Sequence, residues 1–290
     1  MTTDHNSGGA LYGGVLYIVA TPIGNLADMV PRAIEILQAA DLIAAEDTRH
    51  SRRLLDHFNI TTAMQAYHDF SDGQATERLL TKVKDGQKVA LISDAGTPLI
   101  SDPGFRLVQS AREQGIQVVP VPGACALIAA LCASGLPTNR FRFEGFLPAK
   151  PGTRANRLET LAGVTETLVF YEAPHRIEAT LGDIATVFGQ DRRVVLAREL
   201  TKTFETFLDG TAESILKSIE NDPNQRRGEM VLMVAGAEPR ADQTLDDDTI
   251  RLMAILTESL PVKQAAQLAA EYTGLKKKTL YQWAIDQKGD

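Results

Sequence analysis

The chain has 290 residues, a formal charge of −7 and a hydrophobic share of 44%, enough apolar content to fill a core and to exclude disorder over most of its length. Its two cysteines, Cys125 and Cys132, fall in one apolar stretch, which excludes a disulfide scaffold and favours a reducing compartment. That stretch, residues 124–133, is about half the length a membrane helix needs, and the polar, glycine-rich start has no signal-peptide pattern, so a cytoplasmic protein with no membrane partner is expected. The acidic balance argues against bulk binding of nucleic acid but leaves local basic patches open.

From residue 15 onward, short apolar runs alternate with amphipathic stretches. Residues 15–20, 42–45, 89–93 and 117–121 predict buried strands, being short, nearly all apolar and bounded by Gly, Pro, Asp or Ser. Leu26, Met29, Ala33, Ile34, Leu37 and Ala40 recur at helical spacing, with Pro31 near the opening turn. Leu107, Val108 and Ala111, and then residues 126–131, give two further helical patterns. This alternation predicts βαβ units and a mainly parallel sheet. The Pro-Val-Pro-Gly string at 120–123 marks a domain boundary.

A second set of strands is predicted at 141–146, 168–171, 193–197, 204–208 and 230–234, with helical patterns at 158–162, 177–188 and 212–219. The strands at 193–197 and 204–208 leave no room for a helix between them and should pair antiparallel. The expected organisation is a flexible N-terminus (1–14), two α/β domains (15–122 and 123–236), an acidic linker (237–248) and a helix-turn-helix-like tail (249–290), divided by Pro261 and Gly274.

Three Gly/Pro-rich loops, each following a predicted strand, carry the chemical signal: Thr21-Pro22-Ile23-Gly24-Asn25-Leu26, Ser93-Asp94-Ala95-Gly96-Thr97-Pro98 continuing through Ile100 to Gly104, and Pro120-Val121-Pro122-Gly123-Ala124-Cys125. In open α/β sheets, ligands bind outside the carboxyl ends of the strands, where glycine lets backbone approach closely and helix starts offer free N–H groups. Three such loops predict one small-molecule site. A Walker A sequence, a G-x-G-x-x-G, a G-x-S-x-G elbow and a Cys/His cluster are all absent, so no metal site is expected. Charged residues bunch where strands end: Glu46, Asp47 and Arg49; Glu172; Arg198, Glu199 and Lys202. Asp47 could equally cap a helix starting at Thr48.

The segments ATPIGNL (20–26), AAEDTRHSRRLL (44–55), LISDAGTPLISDPG (91–104), VPGACALIAAL (121–131), FEGFLP (143–148), FYEAPHRI (170–177) and ARELTK (197–202), in this order, closely resemble the ribosomal RNA small subunit methyltransferase I family. That family belongs to the tetrapyrrole methylase-like, S-adenosylmethionine-dependent methyltransferases. The resemblance implies a two-domain α/β fold with the cofactor in the cleft between the domains, and a homodimer. It also implies methylation of the ribose 2′-hydroxyl of a cytidine in the 16S rRNA decoding centre of the small ribosomal subunit. The family usually has Ser where this chain has Cys125. Carried over, the resemblance assigns cofactor contacts to Pro22, Gly24, Asp94, Gly96, Thr97, Pro98, Ile100, Ala124, Cys125, Phe170, Tyr171 and Ala197. A same-fold enzyme acting on a tetrapyrrole or a diphthamide precursor is the alternative.

A ribose hydroxyl is a poor nucleophile at neutral pH and needs alignment and a proton acceptor. The candidates are Asp47, Glu172, Glu199 and Lys202, with Arg49 or Arg198 orienting phosphate; Glu199 and Lys202 are favoured because their strand should end in the cleft. Three basic clusters are candidate RNA contacts: Arg49, His50, Arg52 and Arg53; Arg140, Arg142, Lys150, Arg154 and Arg157; and Lys276, Lys277 and Lys278 with Tyr281 and Trp283.

Overall fold

The computed structural model describes residues 14–68, 73–238, 245 and 247–287. The expected flexible N-terminus (apart from Gly14) and most of the acidic linker lie outside the described residues. The chain divides into two compact units, Met1–Ala237 and Glu238–Asp290.

The first unit opens with β1 (Val15–Val19), α1 (Pro31–Ala39), β2 (Leu42–Ala45), α2 (Thr48–His57), β3 (Met64–Ala66), α3 (Gly73–Lys84), β4 (Lys88–Ile92), α4 (Phe105–Glu113) and β5 (Gln117–Val121). The strands form one sheet in the order β3-β2-β4-β1-β5, with every pairing parallel. Alternate residues sort to opposite faces, as the two-residue period of a strand requires. Val19, Ile43, Ala45, Ala90 and Ile92 pack on α1 and α2 through Ala33, Leu37 and Leu55. Leu16, Ala44, Val89 and Leu91 pack on α3 and α4 through Leu79, Leu80, Leu107 and Ala111. Burial on both faces is why these strands read as unbroken apolar runs. β1 lies between β4 and β5, so the loops leaving these three strands emerge side by side at one edge.

Next come α5 (Ala126–Ala133), β6 (Phe141–Phe146), α6 (Pro151–Leu161), β7 (Thr167–Glu172), α7 (Ile177–Phe188), β8 (Arg193–Arg198), β9 (Thr206–Thr211), α8 (Ala212–Asn221) and β10 (Met230–Val234). Their sheet runs β6-β7-β10-β8-β9; only β6 and β7 are parallel, and β8 and β9 form the expected antiparallel pair. One face, with Leu168, Phe170, Val194, Leu196 and Leu232, is covered by α6, α7 and α8. The other, with Val169, Val195, Ala197, Val231 and Met233, packs on α5 and on Ile23 and Ile100 from the first half.

Three local readings change. The first helical pattern splits into a 3-10 turn at Leu26–Asp28 and α1, because Val30, held extended before Pro31 (ψ 141°), cannot continue a helix. β3 and α3 have no counterpart in the sequence reading, β3 being only three residues long and partly exposed. β9 starts at Thr206 and ends at Thr211, whose hydroxyl then caps α8.

The second unit is a three-helix cluster of α9 (Asp247–Ser259), α10 (Val262–Thr273) and α11 (Lys277–Asp286) around Met253, Ala265, Ala266, Ala269, Leu280 and Ala284. Gly274 takes the left-handed conformation (φ 74°) that ends α10. Asp247 and Asp248, expected in the linker, form the first turn of α9, where their charge suits the helix dipole.

Arg154, expected on an RNA-binding surface, is instead 3% exposed; its Nε donates to Asp183 of α7 at 2.6 Å, tying α6 to α7. Arg154→Ala should cost about 3 kcal/mol, the low end for a broken buried pair because the Asp183 side chain keeps 29% of its exposure. The midpoint of urea unfolding checks this.

Candidate active site

The three glycine-rich loops meet at the carboxyl edge of the parallel sheet. Thr21 and Gly96 exchange two backbone hydrogen bonds, at 2.8 and 3.1 Å, joining the loops after β1 and β4. The Ala20 amide donates to the Val121 carbonyl at 3.2 Å, and the Thr97 hydroxyl donates to the Ala124 carbonyl at 2.9 Å, which brings in the loop after β5. Gly96 adopts φ +83° with Ile23 against it, so a side chain there would be strained and crowded.

Between these loops and the second sheet lies a cavity of about 310 Å³. Of the residues expected at a cofactor, Gly96, Thr97, Ile100, Cys125 and Tyr171 line it. Ala124, Pro22, Pro98 and Asp94 stand in the same loops without lining the cavity, and the Asp94 carboxylate is engaged by the Asp47 amide at 3.0 Å. Ala197 packs in the apolar layer behind the cavity wall. Gly24 lies against the Lys202 stem. The Phe170 side chain is corrected: fully buried, it faces α6–α8 on the side of the sheet away from the cavity, because strand residues alternate and its neighbour Tyr171 takes the cavity face.

The candidate proton acceptors separate clearly. Asp47 is the N-cap of α2, accepting from the amides of Arg49 (2.8 Å) and His50 (3.3 Å), and these bonds hold its carboxyl below the usual range. The adjoining Arg49 is 93% exposed and stands 3.7 Å from Asp47. Glu172 lines the cavity, but its carboxylate accepts from the Ala173 amide (2.8 Å), the Thr180 hydroxyl (2.6 Å) and Nη2 of Arg176 (3.4 Å), with the Arg176 Nε as an ion-pair neighbour at 3.1 Å. Those bonds engage both oxygens, so the Glu172 carboxylate fixes the turn into α7 as well as lining the cavity.

Glu199 and Lys202 form a triad with Glu229: the Lys202 ammonium donates to both carboxylates at 2.9 Å, and Glu199 also accepts from the Glu229 amide at 3.0 Å. Burial acts against both charges, but hydrogen bonds outweigh it, holding the Glu199 carboxyl low and the Lys202 ammonium high. Both therefore stay ionised and are poor proton acceptors. Glu229 and Leu200 from this region reach the cavity wall. Arg198 is buried and bonded to Gln225, the Arg227 and Phe204 carbonyls and Thr206, which removes it from phosphate contact.

Asp102 escaped the sequence reading, although it sits in the quoted loop. It lines the cavity on a backbone where both Leu99 (φ 74°) and Ser101 (φ 65°) are left-handed. Burial pushes its carboxyl up, and the neighbouring Asp94 carboxylate adds to the shift against the Ser93 hydrogen bond. Tyr171 is also pushed up by burial; its hydroxyl stays protonated while accepting from the Leu127 amide at 3.3 Å. The signal in sequence was a second acidic residue after the glycine loop, indistinguishable there from a helix cap.

Arg52, Arg53, Lys150 and Arg157 are exposed, as are Lys276 and Lys278. Lys277 is half-buried, with Nζ donating to Gln267 at 2.5 Å. Among the described residues, no group of His, Cys, Asp and Glu is placed to hold a metal, and no helix is long and apolar enough to cross a membrane.

Comparison with known proteins follows the same outline. Residues 15–216 match the family described as Tetrapyrrole (Corrin/Porphyrin) Methylases, and residues 243–288 match the RsmI C-terminal HTH domain. The ribosomal RNA small subunit methyltransferase I of Escherichia coli O157:H7 is 53% identical over 276 residues, 95% of this chain and 96% of that protein. The protein of that name from Xylella fastidiosa (strain Temecula1) is 55% identical over 268 residues, 92% of this chain and 98% of its own. In fold, the chain is similar to uroporphyrin-III-C-methyltransferase from Thermus thermophilus (TM-score 0.53, 19% identity, 77% of this chain and 94% of that one). It is also similar to a diphthine synthase (TM-score 0.56, 14% identity, 76% of this chain and 89% of that one). With half its residues shared along nearly the whole length, and with both the methylase body and the helical tail matched, the chain belongs to the ribosomal RNA small subunit methyltransferase I family.

Proposed function

We propose that this chain uses S-adenosylmethionine to methylate the ribose 2′-hydroxyl of a cytidine in the 16S rRNA decoding centre, acting in the cytoplasm as a homodimer on the small ribosomal subunit. The observation that carries the chemistry is the cavity: three tied loops, an apolar wall and, in Asp102, a carboxylate whose burial raises its affinity for a proton. Ile23, Ile100, Leu200, Met230 and Val231 offer apolar surface, and Thr97, Ser101 and Asp102 offer a few polar groups, the composition of a small-molecule site. That donor set fits a nucleoside sulfonium, which needs apolar walls for its rings and a few oxygens for its polar ends.

When bound, the cofactor supplies an electrophilic methyl carbon whose bond to sulfur breaks as the bond to the ribose oxygen forms. The chain's part is alignment and proton acceptance. Of the three carboxylates at the cavity wall, Glu172 is held by three hydrogen bonds and Glu229 is paired with Lys202. Asp102 remains, and its raised affinity for a proton brings it nearer to a useful base. In this reading Lys202 and Glu199 are positioning residues: the Lys202 stem lies against Gly24 while its ammonium holds Glu229 at the wall. The exposed arginines and the basic start of α11 supply phosphate contacts.

Asp102→Asn should lower turnover by about 10²–10⁴-fold while retaining cofactor affinity by calorimetry. The wild-type rate should rise with pH through a carboxyl pKa above the ordinary aspartate value, since only the ionised form accepts a proton; the variant should lack that limb. Removing the second compact unit, residues 238–290, should weaken binding to 30S subunits and leave cofactor binding intact; the reverse pattern rejects an RNA-gripping tail. The reading itself is tested by offering labelled methyl donor with 30S subunits, free 16S rRNA and a tetrapyrrole precursor. Label at a cytidine 2′-oxygen supports it, and label confined to the tetrapyrrole overturns it.

A further inference from the structure

Strand β6 is an edge of the second sheet, and its sequence, Phe-Arg-Phe-Glu-Gly-Phe, alternates aromatic and charged residues. In a regular strand Phe143 and Phe146, three residues apart, would face opposite sides. They do not, because the pairing slips: Phe143 lies opposite Val169, Gly145 opposite Phe170 and Phe146 opposite Tyr171, leaving Glu144 as an extra, bulged residue. Gly145 absorbs the bulge with φ +66° and passes close to Ser101 of the cavity loop. Both phenyl rings thus share the cavity face with Tyr171, at centroid distances of 4.9 Å (Phe143) and 5.7 Å (Phe146), each edge-on. Phe143 is half-buried behind Tyr171, whereas Phe146 lines the cavity and is still 56% exposed. Bulges beside active sites commonly re-aim a side chain, and this one leaves a phenyl ring at the cavity mouth with much of its surface free.

The charges on this edge indicate what the ring receives. The bulged Glu144 side chain is only 4% exposed and pairs with both Arg142 and Arg157 (2.5 Å from Arg157), whose side chains are 50% and 43% exposed. One buried carboxylate thereby fixes two guanidiniums and neutralises one, leaving an oriented positive charge on the far side of the same edge strand. Arg140 and Lys150, both exposed, border the strand. An aromatic ring and oriented guanidiniums flanking one strand match a planar base joined to a phosphate, which describes an RNA nucleotide and not a phosphate-free cofactor.

We infer that Phe146 is a stacking platform for a base of the RNA substrate, with Arg142 and Arg157 holding phosphate across the edge of β6. This rests on the rRNA reading above and names the subsite that presents the nucleotide to the cavity.

The test uses the full chain and its Phe146→Ala, Phe146→Trp and Arg142→Ala/Arg157→Ala variants. Phe146 is exposed enough that none of its replacements needs the core to shift. For Phe146→Ala, kcat/KM on 30S subunits should fall about 5- to 150-fold, the range for one lost base stack, with unchanged S-adenosylmethionine affinity by calorimetry. Phe146→Trp should retain wild-type kcat/KM, and the double arginine variant should flatten the salt dependence of binding to a fluorescein-labelled oligocytidylate. Wild-type behaviour of Phe146→Ala on both RNAs overturns the inference, as does a loss confined to cofactor affinity, which would give the ring to the cofactor. If wild-type protein leaves 30S subunits unlabelled yet Phe146→Ala loses oligocytidylate binding, the platform stands and the rRNA reading fails.

Discussion

Two backbone hydrogen bonds between Thr21 and Gly96 set the geometry on which the rest of the site depends. They are possible because β1 lies directly beside β4, an adjacency that the chain reaches only through a crossover. With that bridge in place, Thr97 is delivered to the Ala124 carbonyl, and the loops after three strands become one wall. The glycine is required on two counts, a positive φ and the contact with Ile23, so one residue serves both conformation and packing. Ile23 in turn joins the apolar layer shared with the second sheet, and the same loop thereby shapes the cavity and couples the two halves.

The opposite wall is held by charge. Lys202 lies between two carboxylates, and its stem rests on Gly24, so the end of β8 and the start of β10 meet the first glycine loop through one side chain. Both walls carry strain. Leu99, Ser101, Glu199 and Thr201 are four of the five non-glycine residues with positive φ among the described residues, and all lie in segments bordering the cavity. Each costs on the order of 1–3 kcal/mol, and such conformations persist where the surroundings over-determine them, as at ligand sites.

Much of this was legible in sequence for a simple reason. Strands buried on both faces read as apolar runs, and glycine-rich loops after them mark the ligand edge, so the parallel sheet, the antiparallel β8–β9 pair and the converging loops are legible in the residues alone. What escaped is equally physical. Phe170 and Tyr171 are adjacent and both aromatic, and only the strand's register decides which one meets the cavity. Arg154 looks like any exposed basic residue until Asp183 of another helix is found beside it. Glu172 and Asp102 are both carboxylates near strand ends or loops; the partners that engage Glu172 (Ala173, Arg176 and Thr180) follow it closely in sequence, but only the folded turn into α7 aims them at its oxygens. Family likeness supplied the cofactor and the substrate, which no spacing of residues could.

The bulge in β6 has a consequence for solubility as well. An edge strand exposes a row of unpaired amides and carbonyls, and one bearing Phe141 and Phe146 on its exposed surface invites another chain to add itself to the sheet. Glu144 breaks the regular hydrogen-bonding repeat in the middle of that row, and the half-exposed guanidiniums of Arg142 and Arg157 that it holds put charge beside the same edge strand. The irregularity that frees an aromatic ring for recognition thus also makes this edge a poor template for aggregation, letting the protein display sticky side chains without displaying a sticky backbone.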